Sequence, residues 1–171
     1  MLFDTVSNWV IERLIWLKIL TDEQYDDFDY YFKGICCELL IAGISIGLGI
    51  LLNCWLQVLT ALVVFAILRI FIEGYHAPSL EMCLVISTGL LVGIGLLSKV
   101  LEGYSWLVLS LSIIGVFIIE YFKVENKIRI RQMCLVLFFY MASFIMMWIR
   151  ADLSVAISLG VFTVVLLSIK E

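Results

Sequence analysis

The chain has one proline, one histidine and few charges: Asp, Glu, Lys and Arg make up 15% of its 171 residues. A soluble domain carries about 25% charged residues, so this chain lacks the polar surface that would keep it in water. The single proline and the 64% hydrophobic content also exclude a disordered chain. No CxxC pair occurs, and one histidine with these cysteine spacings does not build a zinc site; no cofactor is implied. The first residues alternate charged and apolar positions, which does not read as a cleaved secretory signal. No basic, solvated face is present to neutralise phosphates, so nucleic acid is excluded as a partner. What remains is an all-α, polytopic integral membrane protein. A helical span takes about 20 residues, so five or six spans with short loops use up the chain.

The charges are unevenly placed. The first 38 positions hold eight acids (Asp4, Glu12, Asp22, Glu23, Asp26, Asp27, Asp29, Glu38) against Arg13, Lys18 and Lys33. The net charge of −4 therefore belongs to the amino-terminal segment. Within it, Phe3, Val6, Val10, Leu14 and Leu17 recur at helical spacing, with Asp4, Ser7, Asn8, Glu12 and Lys18 on other faces. Trp9 and Trp16 suit the headgroup region, so residues 2–19 are expected to form an amphipathic helix lying on the bilayer. Thr21-Asp22-Glu23-Gln24 has capping-box spacing and predicts a second helix that leads through Gly34 into the first span.

From Leu39 to Leu68 no residue is charged. Thirty helical residues would reach about 45 Å against a hydrocarbon core of about 30 Å, which favours a tight hairpin near Asn53 over one steeply tilted helix. Six spans are expected at about 35–52, 55–72, 83–100, 104–122, 132–149 and 153–169, in one membrane domain after the amphipathic segment 1–33. Lys123, Lys127, Arg129 and Arg131 form the densest cationic loop, which belongs on the cytoplasmic side. The Arg69–Glu81 connection and the amino terminus then share that side, and Lys99–Glu102 and Arg150–Asp152 face out.

Chemistry is concentrated in the connection Arg69-Ile70-Phe71-Ile72-Glu73-Gly74-Tyr75-His76-Ala77-Pro78-Ser79-Leu80-Glu81-Met82-Cys83. It carries the histidine, the proline and a cysteine seven residues past the histidine. A free thiol is only a few per cent ionised at pH 7, and a neighbouring imidazole raises that fraction, so His76 and Cys83 suit nucleophilic catalysis. Glu73 is placed to orient the imidazole, ahead of Ser79 and Glu81. Gly74 permits a sharp turn, and Pro78 is expected as the first residue of the third span. On one straight helix, residues seven apart lie about 10.5 Å from each other, so the pair acts only if Gly74–Pro78 folds back. The competing reading is an interfacial histidine and an inert or palmitoylated thiol. The other cysteines, Cys36, Cys37, Cys54 and Cys134, read as small buried hydrophobes in or beside apolar runs.

Arg69, the run Gly74-Tyr75-His76-Ala77-Pro78-Ser79 and Cys83 together resemble the accessory gene regulator protein B family, bacterial membrane cysteine endopeptidases that mature quorum-sensing peptides. An amphipathic amino terminus and Val124-Glu125-Asn126-Lys127-Ile128 extend the likeness along the chain. The family's loop there commonly contains prolines, where this chain has Tyr121-Phe122 and Ile128. The resemblance implies Cys83 as nucleophile, His76 as general base and later acid, and Arg69 and Gly74 at positions required for activity. For Arg69 the alternative is a snorkelling cytoplasmic anchor.

The reaction so implied is cleavage of a short amphipathic propeptide at its carboxy-terminal side through a thioester. Ring closure by an internal cysteine or serine then yields a thiolactone or lactone autoinducing peptide. The substrate's acidic tail is expected at Lys123, Lys127, Arg129 and Arg131, unless these residues serve topology alone. The implied setting is the bacterial cell membrane, with the site on the cytoplasmic side and a homodimer as the assembled form. The competing classes are a small exporter, which would need polar groups within its spans, and a scaffold packed through Gly43, Gly47 and Gly49 or Gly89, Gly93 and Gly95.

Overall fold

The structure is a computed structural model that describes residues 9–13, 15, 16, 25–71, 79–122 and 130–168. Six helices make up nearly all of it: α1 (Tyr25–Leu51), α2 (Trp55–Phe71), α3 (Leu80–Val100), α4 (Ser105–Phe122), α5 (Ile130–Ile149) and α6 (Ala151–Leu167). A 3-10 turn at Glu102–Tyr104 joins α3 to α4, and no strand occurs among the described residues. Residues 9–13, 15 and 16 are helical too. Four stretches are long and apolar enough to cross a membrane: Phe28–Leu51, Leu80–Val100, Glu102–Ile119 and Gln132–Ile149. The other two helices, α2 and α6, have 17 residues each, at the lower end of what a span needs.

The helix expected to begin near Thr21 and the first span are one element. α1 runs through Gly34 without a break for 27 residues, while Thr21–Gln24 lie outside the described residues. The hairpin near Asn53 forms as expected. Asn53 sits at φ 56°, a left-handed conformation that asparagine tolerates better than most side chains. Its N–H donates to the Ile50 carbonyl at 3.1 Å, and that of Cys54 donates to the Gly49 carbonyl at 2.7 Å. Those two bonds form a Schellman cap, which satisfies the last carbonyls of α1 and turns the chain back. A side chain at Gly49 would meet the Trp55 Cα at 3.0 Å, so the close return of α2 depends on glycine there.

α6 is the centre of the bundle and packs against α2, α3, α4 and α5. It is apolar around its whole circumference and carries small residues such as Ala156, Ser158 and Gly160, all buried. Lipid tails are as apolar as leucine, so tight contact and interhelical hydrogen bonds hold such helices together. The Ser112 hydroxyl donates to the Ser158 carbonyl at 2.8 Å and lies 2.8 Å from the Tyr140 hydroxyl. The Ser143 hydroxyl donates to the Ser154 carbonyl at 2.9 Å and lies 2.8 Å from that of Ser158. These bonds tie α4 and α5 to α6.

The glycine faces divide. Gly49 and Gly95 both pack against Val58, whereas side chains at Gly43, Gly47, Gly89 and Gly93 would meet nothing within 4 Å. Those four do not serve packing among the described residues.

The two ends of the bundle differ in chemistry. One carries Asn53, Gln57, Lys99, Arg150 and Asp152, joined by Lys99 donating to the Asn53 carbonyl at 2.8 Å and Gln57 to Asp152 at 2.5 Å. At the other end Gln132 donates to the Phe71 carbonyl, next to Arg69 and the start of α3.

Candidate functional site

The start of α3 is set by Ser79. Its backbone is extended, with φ −142° and ψ 151°, and its hydroxyl accepts the Met82 N–H at 3.2 Å. This is a side-chain N-cap, which satisfies one of the four free donors of the first turn. The helix therefore begins at Leu80, after Ser79, and not at Pro78 as the sequence suggested. A serine hydroxyl fixes the start where proline's fixed φ was expected to do so. The extended Ser79 also ends the straight path on which positions 76 and 83 would be held apart.

Cys83 follows in the first turn, its N–H donating to the Ser79 carbonyl at 3.0 Å. The side chain is partly buried against the apolar core. Two groups approach its sulfur. Arg69 in the last turn of α2 brings Nη2 to 4.0 Å from Sγ. The Ser87 hydroxyl, one turn along α3, lies 3.9 Å away. The Cys37 thiol of α1 donates to the Leu80 carbonyl at 3.6 Å, three residues before Cys83. Arg69 is itself held with its guanidinium carbon 6.0 Å from the centre of the Phe65 ring. A cation in the last turn of α2 also meets that helix's negative end.

Three helices thus meet around Cys83. The half-buried thiol faces a guanidinium and a hydroxyl, at the positive end of α3, where the first-turn N–H groups lie. Such surroundings suit an oxygen beside the sulfur that gains negative charge during a reaction.

A family model described as accessory gene regulator B matches residues 4–169. The chain belongs to the accessory gene regulator B family. Neither a curated protein nor a solved structure matches it.

Of the accessory gene regulator B residues singled out in the sequence, the structure brings Arg69 and Cys83 together and gives Ser79 the cap. Glu81 is exposed in the first turn of α3, where an acid suits the helix dipole. Glu73, Gly74 and His76 lie outside the described residues, as do Lys123, Lys127 and Arg129, and of Arg131 only the backbone in α5 is described.

Two residues near Cys83 escaped the sequence reading. Ser87 is legible in principle, four residues beyond Cys83 and so on the same helix face. Cys37 read as an inert buried thiol, and it is 3% exposed. Its place beside Cys83 depends on how α1 and α3 pair, which no local pattern reveals.

Proposed function

We propose that this chain is a membrane-embedded cysteine endopeptidase that cleaves a short propeptide and cyclises the fragment it retains. Membership of the accessory gene regulator B family implies a role in processing that system's autoinducer. The observation that carries the finer reading is the approach of Arg69 to Cys83. Two motif residues 14 positions apart meet at 4.0 Å.

In this reading His76 takes the Cys83 proton, and the sulfur attacks a backbone carbonyl of the propeptide. The Arg69 guanidinium and the first-turn N–H groups of α3 are placed where negative charge develops on the sulfur and the carbonyl oxygen. His76 then protonates the leaving amine, the carboxy-terminal tail departs and a thioester remains. An internal thiol or hydroxyl of the bound fragment attacks that thioester, closes the ring and frees Cys83. Exchange of one thioester for another is nearly isoenergetic, so the ring survives only where water is kept from the acyl group. A half-buried sulfur at the membrane boundary suits that demand.

The setting proposed with it is one membrane domain of six spans, with the Cys83 end facing the cytoplasm and an amphipathic amino-terminal helix on the bilayer. In this reading Lys123, Lys127, Arg129 and Arg131 take the acidic substrate tail.

The test is cleavage of the propeptide by purified protein in nanodiscs. Cys83→Ala is expected to abolish cleavage, while Ala or Ser at Cys36, Cys37, Cys54 or Cys134 leaves it intact. Cleavage by the Cys83→Ala variant would overturn the mechanism.

A further inference from the structure

Five cysteines are present, and the structure brings two of them to one place. Cys37 projects from α1 into the apolar core against which Cys83 packs. Its Sγ lies 3.6 Å from the carbonyl of Leu80, three residues before Cys83 and on the same side of α3. α1 and α3 pack directly against each other. Cys54 is buried at the opposite end of the bundle beside Gly95, and Cys134 is exposed on α5. Cys36, one residue away on a helix, points about 100° from Cys37.

We propose that Cys37 and Cys83 are a site of oxidative modification, at which a hydroperoxide closes a disulfide between them. Cys83 is the attacking sulfur, because it is the more open of the two and has Arg69 at 4.0 Å. Its sulfur takes the terminal oxygen of the peroxide: an S–O bond forms, the O–O bond breaks and an alcohol or water leaves. The sulfur is oxidised by two electrons and the peroxide is reduced by two. The Cys37 sulfur then attacks the sulfenic acid. The S–S bond forms, the S–O bond breaks, and the departing hydroxide takes the Cys37 proton as water. A dithiol reductant reverses the change through thiol–disulfide exchange.

Without a second thiol, sulfenic acid goes on to sulfinic acid, which reductants do not restore. Cys37 therefore preserves Cys83 under oxidative stress while switching it off. Formation of the bond rests on the packing of α1 against α3 alone; its effect on cleavage rests on Cys83 being the nucleophile.

The experiment exposes the full chain in nanodiscs to hydrogen peroxide, blocks remaining thiols with iodoacetamide and maps peptides without reduction. A Cys37–Cys83 crosslink is expected as the main product, with cleavage activity lost and regained on adding dithiothreitol. Cys37→Ser should cleave normally before treatment but recover no activity after it, with sulfinic acid at Cys83. Cys36→Ser should behave as wild type. Sulfinic acid at Cys83 beside a free Cys37 in the wild type, or a crosslink between two chains instead, would overturn the pair. If Cys37→Ser fails to fold, the wild-type peptide map still decides. If the untreated wild type cleaves no propeptide, the peptidase reading falls, and the map still tests the thiol pair.

Discussion

Gln57 donates to Asp152 at 2.5 Å, a buried bond that joins the first turn of α2 to the first turn of α6. Arg150 completes the group, with Nε 3.1 Å from Oδ1 and Nη2 2.7 Å from Oδ2 of the same carboxylate. Both oxygens are thus occupied, and the central helix is fixed in depth at the end of the bundle away from Cys83. Gln57→Leu removes one of these partners and leaves Asp152 to Arg150 alone. A hydrogen bond to a charged group contributes about 1.5–3 kcal/mol, and a loss of that size is expected in a reversible denaturation titration. Asp152→Asn keeps two hydrogen-bonding neighbours and should cost less. Unchanged stability of Gln57→Leu would mean that the bond does not hold α6.

Ser45 and Thr88 present the opposite case. In this bundle Thr60, Ser98, Ser110 and Thr163 each donate to the carbonyl four residues earlier. Ser45 Oγ and Thr88 Oγ1 are buried with no partner among the described residues. An unsatisfied buried hydroxyl costs about 1–3 kcal/mol, so removing it while keeping the shape is neutral or favourable. Ser45→Ala and Thr88→Val are therefore expected to match or exceed the wild type in the same titration. A clear destabilisation by either would show that its hydroxyl has a partner in the membrane.

What could be read from the sequence was local. The uncharged run of Leu39–Leu68 is too long for one span, and Asn53 near its middle is, glycines aside, the residue within it that best tolerates a left-handed turn. Cys83 stood out because it lies seven residues past the one histidine, and Arg69 through the family resemblance. The start of α3 was misjudged by weighing Pro78 over Ser79, although serine is among the strongest N-caps. Cys37, Gln57 and Asp152 were passed over for a different reason. Each takes its role from a partner on another helix, 43 residues away for Cys37 and Leu80 and 95 for Gln57 and Asp152. The central place of α6 was equally hidden, because a helix apolar on all sides reads the same whether it faces lipid or protein.

Sidedness is open to a direct test. Glu81 is exposed in the first turn of α3, and Glu102 is exposed at the far end of that helix. In a background without native cysteines, Glu81→Cys and Lys127→Cys are expected to react with a membrane-impermeant maleimide only in inside-out vesicles. Glu102→Cys should react only in intact cells. Labelling of positions 81 and 127 from opposite faces would overturn the two spans placed between them, and labelling of 102 from inside would reverse the orientation.

The role of His76 separates from that of Cys83 by rate. Removing a general base leaves the nucleophile in place, and such assistance contributes typically 10²–10⁴-fold. His76→Ala is therefore expected to slow propeptide cleavage by about that factor at pH 7 and to leave a measurable remainder. Cys83→Ala has no sulfur to attack with and should leave none. Raising the pH lets hydroxide take the thiol proton in place of the imidazole, so part of the loss in His76→Ala should return. Nothing should return in Cys83→Ala. Arg69→Lys keeps a positive charge in the last turn of α2 and should cleave faster than Arg69→Ala, because a cation 4.0 Å from the sulfur serves the developing charge whatever group takes the proton. Rates for these variants against pH, in nanodiscs with the wild type as reference, decide the matter. Cleavage by His76→Ala at the wild-type rate at pH 7 would remove the histidine from the mechanism and leave Arg69 and the helix terminus to activate the thiol alone.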